Sequence, residues 1–221
     1  MFEAERAAVA AASRRLAAEG LVAGTAGNLS ARCAEGLYAV TPTGALLATL
    51  EAEQVCVVDI AARVVHGGLQ PTSEVELHLG IYQRYQAGAV VHTHAPMSTT
   101  LACSVDEVPC VHYQMLSLGG AIRVAPYHTF GTPELAQAVL DALDGRTAAL
   151  MGNHGAVSYG KDLDAAVEAT LLLEWACGVY WRARLTGTPR ILSDEQQQAV
   201  ILAAIERRYG AVRAVDGTEA E

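Results

Sequence analysis

The spacing of apolar and polar positions changes several times along this chain, and each change marks an element. Residues 2–19 mix alanines and other apolar residues with Glu and Arg, and Gly20 closes the segment. That predicts an amphipathic helix with a glycine stop. After the Gly-rich GTAGNLS, the run LSAR, AEG, LYAVT reads as a hairpin, and TPTG as a turn. QVCVVDI and ARVVHG predict two more short strands. PTSEVELHLGIYQRY predicts a helix, with Ser73 and Glu76 spaced as a capping box. GAVVHTH is a short apolar strand, PMSTTLAC a short helix, and VPCVHY and IRVAPY are strand-like. TPELAQAVLDAL predicts a helix with Thr132 at the N-cap and Pro133 at its first position. RTAALMGNHGAVSYG predicts two strands around a turn. DLDAAVEATLLLEWACGVYWRARL predicts a long helix, and SDEQQQAVILAAIERRYG a last one with Ser193 and Gln196 as a capping box.

This order is not a strict strand–helix alternation. Short turns join the strands of the first half, which favours a mixed or antiparallel sheet with helices packed on it. The expected fold class is α/β, layered in the α+β manner, in a single domain over residues 1–221. The last stretch, about residues 212–221, is small and acidic and is expected to be a flexible tail.

Composition narrows the function. With 221 residues, 52% apolar and 18% charged, the chain has the makings of a packed core. A net charge of −9 argues against nucleic acid and against an anionic membrane as partners. It leaves room for a small anion, because backbone N–H groups and hydroxyls bind phosphate without bulk positive charge. The N-terminal segment lacks the basic start and apolar run of a secretory signal, and no apolar run reaches a membrane span. Five cysteines without CxxC spacing suit a reduced compartment. A cytoplasmic protein is expected.

Three features carry candidate chemistry. On a strand, His92 and His94 leave the same face and can converge on one ion, with Thr93 pointing away. Such a pair alone is weak evidence and needs a third ligand. His154, between Gly152 and Gly155 at a turn, is the best candidate. Three neutral imidazoles would leave zinc an open fourth position, the form of a catalytic site. The other histidines (His66, His78, His112, His128) lack ligand spacing and read as surface or satisfied buried residues. In PTSE, two hydroxyls and free N–H groups precede Glu74, which makes either an anion pocket or an ordinary helix cap. GTAGN and TPTG are ordinary turns taken singly, yet three such loops can share one phosphate.

Together, GTAGNLS, TPTG, PTSE, HTHAP, HY, APYHTFGT, NHG and the late LSDE…YG, in this order, resemble the class II aldolase/adducin family. The likeness spans about residues 5–210 and is strongest to its L-fuculose-1-phosphate aldolase branch. It implies a zinc-dependent lyase that reversibly cleaves a phosphorylated ketose, a ketose 1-phosphate, to dihydroxyacetone phosphate and an aldehyde. Imidazole ligands also accept Mn2+ or Co2+ in place of Zn2+. It implies a central, mostly antiparallel sheet flanked by helices, and a homotetramer with sites at subunit interfaces.

Position by position, the resemblance places the zinc ligands at His92, His94 and His154. Glu74 falls on the proton donor and acceptor, which also nears the metal without substrate. Gly27, Asn28, Thr43, Gly44, Thr72 and Ser73 fall on phosphate loops. Tyr113 falls on a tyrosine that reaches a neighbour's site, and Phe130 and Tyr209 on positions at the aldehyde end. The family also holds ribulose-5-phosphate 4-epimerases, methylthioribulose-1-phosphate dehydratases, keto-acid phosphate decarboxylases and non-catalytic adducin-like modules. The intact ligand set argues against the last. The epimerases carry an acidic residue where this chain reads VPCVHYQMLSLGG, without Asp or Glu. His128, Met115, Leu116 and the tail ERRYGAVRAV depart from a fuculose enzyme and suit an apolar end group. A 5-deoxyribulose or 5-methylthioribulose 1-phosphate is therefore a rival substrate to L-fuculose 1-phosphate.

Overall fold

The computed structural model describes residues 2–34 and 36–209. The expected acidic tail lies outside them. Nine strands form one sheet: β1 (Asn28–Ala34), β2 (Leu37–Val40), β3 (Cys56–Asp59), β4 (Val64–His66), β5 (Ala89–Thr93), β6 (Glu107–Val108), β7 (Ile122–Ala125), β8 (Ala148–Met151) and β9 (Gly155–Gly160). Their spatial order is β4-β3-β2-β1-β5-β9-β8-β7-β6. Every pairing is antiparallel except β7 with β8. The observed sheet agrees with the mixed or antiparallel one expected from the short turns and with the mostly antiparallel one implied by the family resemblance.

Among the described residues there are six α-helices: α1 (Glu3–Ala18), α2 (Val75–Arg84), α3 (Pro96–Ala102), α4 (Pro133–Ala142), α5 (Leu163–Thr186) and α6 (Asp194–Glu206), and the first five pack on the sheet. Strand alternation divides the core between two faces. Val90 of β5 and Val157 of β9 pack with Ile81 of α2 and Val139 of α4. On the opposite face, Ala89 and Val91 pack with Val9 and Leu16 of α1 and Val167 of α5. Farther along that face, Leu150 and Ala156 pack with Leu101 of α3 and Leu173 of α5. Helix α6 buries none of its side chains. Among the described residues, no helix is long and apolar enough to cross a membrane.

The cap signals sort cleanly. Thr132 accepts the Leu135 N–H, and Ser193 forms its reciprocal box with Gln196. Ser73 does not cap α2. That helix starts at Val75 with Glu74 at the N-cap position and no side-chain cap bond. Two bonds stand in its place: the Thr72 carbonyl accepts the Val75 N–H, and Thr72 Oγ1 accepts the Glu74 N–H at 3.3 Å. The chain has turned one step before the box could close. VPCVHY also differs: only its start joins a strand, and Tyr113–Leu118 is a 3-10 helix.

Candidate metal centre

The site forms where β5, β9 and the start of α2 meet. His92 is the penultimate residue of β5, pairs with Asn28 of β1 and Val157 of β9, and has no exposed surface. Its Nδ1 lies 2.9 Å from the Ala156 carbonyl. A carbonyl only accepts, so Nδ1 carries the proton and Nε2 keeps its lone pair. His94 follows the end of β5, and its Nε2 sits 3.0 Å from that of His92. His154 arrives from the turn between β8 and β9, where Asn153 takes the left-handed conformation (φ 53°) that asparagine tolerates. The three rings stand at mutual centroid distances of 4.9 Å, roughly perpendicular to one another. Their facing nitrogens all lie within 4.8 Å of each other.

Glu74 closes the cluster. Its Oε2 is 3.2 Å from His92 Nε2 and its Oε1 is 3.5 Å from His154 Nε2. Asn28 Nδ2 donates to Oε2 at 3.0 Å, whereas Oε1 is buried and accepts no hydrogen bond. Burial pushes the Glu74 carboxyl up, but His92, the Asn28 bond, His154 and His78 together outweigh it and hold it below the usual range. Burial, then His92 and His154, push the His94 imidazole down to about 4. Burial and His92 also lower His154. His94 and His154 are thus biased toward the neutral, ligand-competent form. Three facing lone pairs beside a carboxylate oxygen without a donor fit a divalent cation, and imidazole nitrogens fit zinc.

Two glycines make this packing feasible. A Cβ on Gly155 would lie 2.4 Å from the Thr93 carbonyl oxygen and 2.9 Å from His94 Cδ2. Gly27, at φ 99°, would bring a Cβ to 3.0 Å from the His92 carbonyl oxygen. Gly155→Ala is expected to cost about 1–3 kcal/mol of stability, as overpacking against a rigid backbone does. It should also lower metal affinity, since His94 must move. Thermal unfolding with and without zinc measures both effects. An unchanged melting temperature with unchanged zinc binding would contradict this account.

A cleft of about 300 Å³ opens onto the cluster. Gly27, Asn28, Thr43, Gly44, Thr72, Ser73, Glu74, His94, His154 and Phe130 all line it. The loops are tied together by main-chain bonds from Thr43 to Gln70 and from Thr72 to Thr41, and by a bridge between Pro42 and Pro71. Asn28 is 6% exposed, and both atoms of its amide are engaged, with Glu74 and with His78. Sequence reasoning missed Thr25, Tyr127 and Asn153, which also line the cleft. Each sits inside or beside a motif already singled out, and that adjacency was the available signal.

Tyr113 and Tyr209 are elsewhere. They line a separate groove between the 3-10 helix and α6, with their hydroxyls 3.5 Å apart, and both are exposed. The protein's own fold does not bring them to the histidines.

The sheet and the ligand cluster define a class: residues 7–181 match the family model for the class II aldolase and adducin N-terminal domain. The chain belongs to this family. It is 39% identical, over 86% of each chain, to a 5-methylthioribulose-1-phosphate/5-deoxyribulose-1-phosphate aldolase of Rhodospirillum rubrum. It is 36% identical to the L-fuculose phosphate aldolase of Escherichia coli, over 82% of this chain and 85% of that one. A solved L-fuculose 1-phosphate aldolase superposes with a TM-score of 0.87 at 32% identity, covering 93% of this chain and 97% of the other.

Proposed function

We propose that this protein is a zinc-dependent aldolase that cleaves 5-deoxyribulose 1-phosphate or 5-methylthioribulose 1-phosphate to dihydroxyacetone phosphate and an aldehyde. The observation that carries this reading is the triad of His92, His94 and His154 facing Glu74 at the end of a loop-walled cleft. When bound there, the metal supplies Lewis-acid stabilisation of negative charge beside the substrate carbonyl.

The chain's own residues do the rest. Loops 25–28, 41–44 and 72–73 offer hydroxyls and main-chain N–H groups to the phosphate, which fixes the ketose from a point remote from the reacting bond. In cleavage, the bond between C3 and C4 breaks and its electron pair stays on C3. The C4 hydroxyl loses its proton as the aldehyde carbonyl forms. Glu74, a carboxylate at rest, takes up a proton from solvent and delivers it to C3. Tyr113 of a neighbouring copy relays the hydroxyl proton to solvent, accepting it as its own phenolic proton leaves, which agrees with its exposure and its distance from its own histidines. This reading includes a homotetramer with sites at the subunit interfaces, as the family resemblance implies. The exposed Ile201, Leu202 and Ile205 of α6 and Trp181 of α5 supply apolar surface for it.

The exposed aromatics Tyr127 and Phe130 stand at the cleft mouth and suit a methyl or methylthio end group better than a hydroxylated one. The similarity to the Rhodospirillum enzyme supports the same choice. The protein works in the cytoplasm, where such phosphorylated sugars are retained. The test is a panel of 5-deoxyribulose, 5-methylthioribulose and L-fuculose 1-phosphates with ribulose 5-phosphate, followed by dihydroxyacetone phosphate release. Release is expected from the first two at the highest kcat/KM. Release from none of them overturns the aldolase reading.

A further inference from the structure

Behind Glu74 runs a buried hydrogen-bond chain whose inner members, His78, Ser30 and Tyr82, do not line the cleft. Glu74, at the N-cap of α2, and His78 and Tyr82 within it recur every four residues along one side of the helix. Asn28 and Ser30 alternate along the facing side of β1. Four helical residues rise about 6 Å and two strand residues rise about 6.7 Å, so the two stripes stay in step. Tyr82 Oη lies 2.9 Å from Ser30 Oγ, and Ser30 Oγ 2.7 Å from His78 Nδ1. His78 Nε2 lies 2.6 Å from Asn28 Oδ1, and Asn28 Nδ2 3.0 Å from Glu74 Oε2. All five residues are buried, and Ser30 and His78 have no exposed surface.

Chemistry fixes the direction of every bond. The carboxylate accepts, so the Asn28 amide turns its NH2 group toward Glu74 and its oxygen toward His78. That oxygen accepts only, so His78 carries its proton on Nε2. His78 Nδ1 must then accept from the Ser30 hydroxyl, which leaves Ser30 Oγ to accept from Tyr82. Four donors point the same way, and all of them end on one carboxylate oxygen.

We propose that His78 is a positioning residue for Glu74. Acting through Asn28, it holds Oε2 in place and leaves Oε1 as the oxygen that faces the substrate and moves its proton. This rests on the reading of Glu74 as proton carrier. Without the His78 donor, Asn28 Oδ1 is buried unpaired, and the amide gains freedom to rotate away from Glu74.

The experiment compares wild type with His78→Leu, which removes both nitrogens, and His78→Gln, which can donate and accept. Zinc content, kcat and KM are measured with 5-deoxyribulose 1-phosphate, and the tautomer of His78 in the wild type by nitrogen-15 NMR. His78→Leu is expected to lower kcat about 10- to 100-fold, as loss of a supporting hydrogen bond does, with KM and zinc content unchanged. His78→Gln should recover most of that loss, and His78 should be neutral with its proton on Nε2. The proposal is overturned by a folded, zinc-replete His78→Leu with wild-type kcat. A His78→Gln as slow as His78→Leu, or a proton on Nδ1, overturns it equally. Should His78→Leu fail to fold, the tautomer and the glutamine variant decide. Wild-type inactivity on the whole panel strikes the substrate reading instead, and leaves the tautomer measurement to judge the chain of bonds.

Discussion

His94→Ala is expected to give a folded protein that binds zinc weakly and cleaves ketose phosphates at a rate close to background. The position suits the test because His94 lies past the end of β5 and its bond partner is the His92 imidazole. Its loss removes a ligand without opening the sheet. His92 is a poorer target: it is fully buried and bonded to the Ala156 carbonyl, so its truncation mixes metal loss with a core cavity. Lewis-acid stabilisation contributes several kcal/mol, so activity should fall by roughly 10³-fold or more. Metal analysis of the dialysed variant and its kcat/KM check this together. A variant that retained stoichiometric zinc and full activity would remove His94 from the site.

Glu74→Gln should leave zinc content and assembly intact and slow proton transfer at the dihydroxyacetone phosphate carbon by about 10²- to 10⁴-fold, the usual worth of a positioned acid or base. Glutamine keeps the shape and can still accept from Asn28 Nδ2. What it loses is the basic oxygen, Oε1, which stands beside His154 without a hydrogen-bond donor. Solvent deuterium exchange into dihydroxyacetone phosphate, measured without aldehyde, isolates that step from bond cleavage. Exchange at the wild-type rate would assign the proton to another group.

The two predictions rest on residues whose spacing was legible in the sequence to different degrees. The His92–Thr93–His94 alternation follows from strand geometry, and the glycine-flanked His154, read as the candidate third ligand, stands beside that pair. Their convergence also needs something spacing does not reveal. Gly155 must let the β9 backbone pass against Thr93, and the strand must end so that His94 swings inward. Caps that depend on four consecutive residues, at Thr132 and Ser193, were readable because nothing distant competes with them. The Ser73 box failed because residues 70–72 are stitched to residues 41–43, a contact between segments thirty residues apart. His78 was read as a surface or satisfied buried histidine. It is the second, but its partners lie on β1, about fifty positions earlier, and only the register of β1 against α2 brings them together.

Strand β5 sits near the middle of nine, hydrogen-bonded to β1 and β9 and covered by packed side chains on both faces. Its amides are expected to be among the slowest to exchange with solvent, since both edges are paired and both faces covered. A cation held by His92 would bind the folded sheet and not the unfolded chain. Its binding free energy is added to global stability, about 4 kcal/mol at a thousandfold excess over the dissociation constant. The melting temperature of this protein doubles as a gauge of how much metal surrounds it.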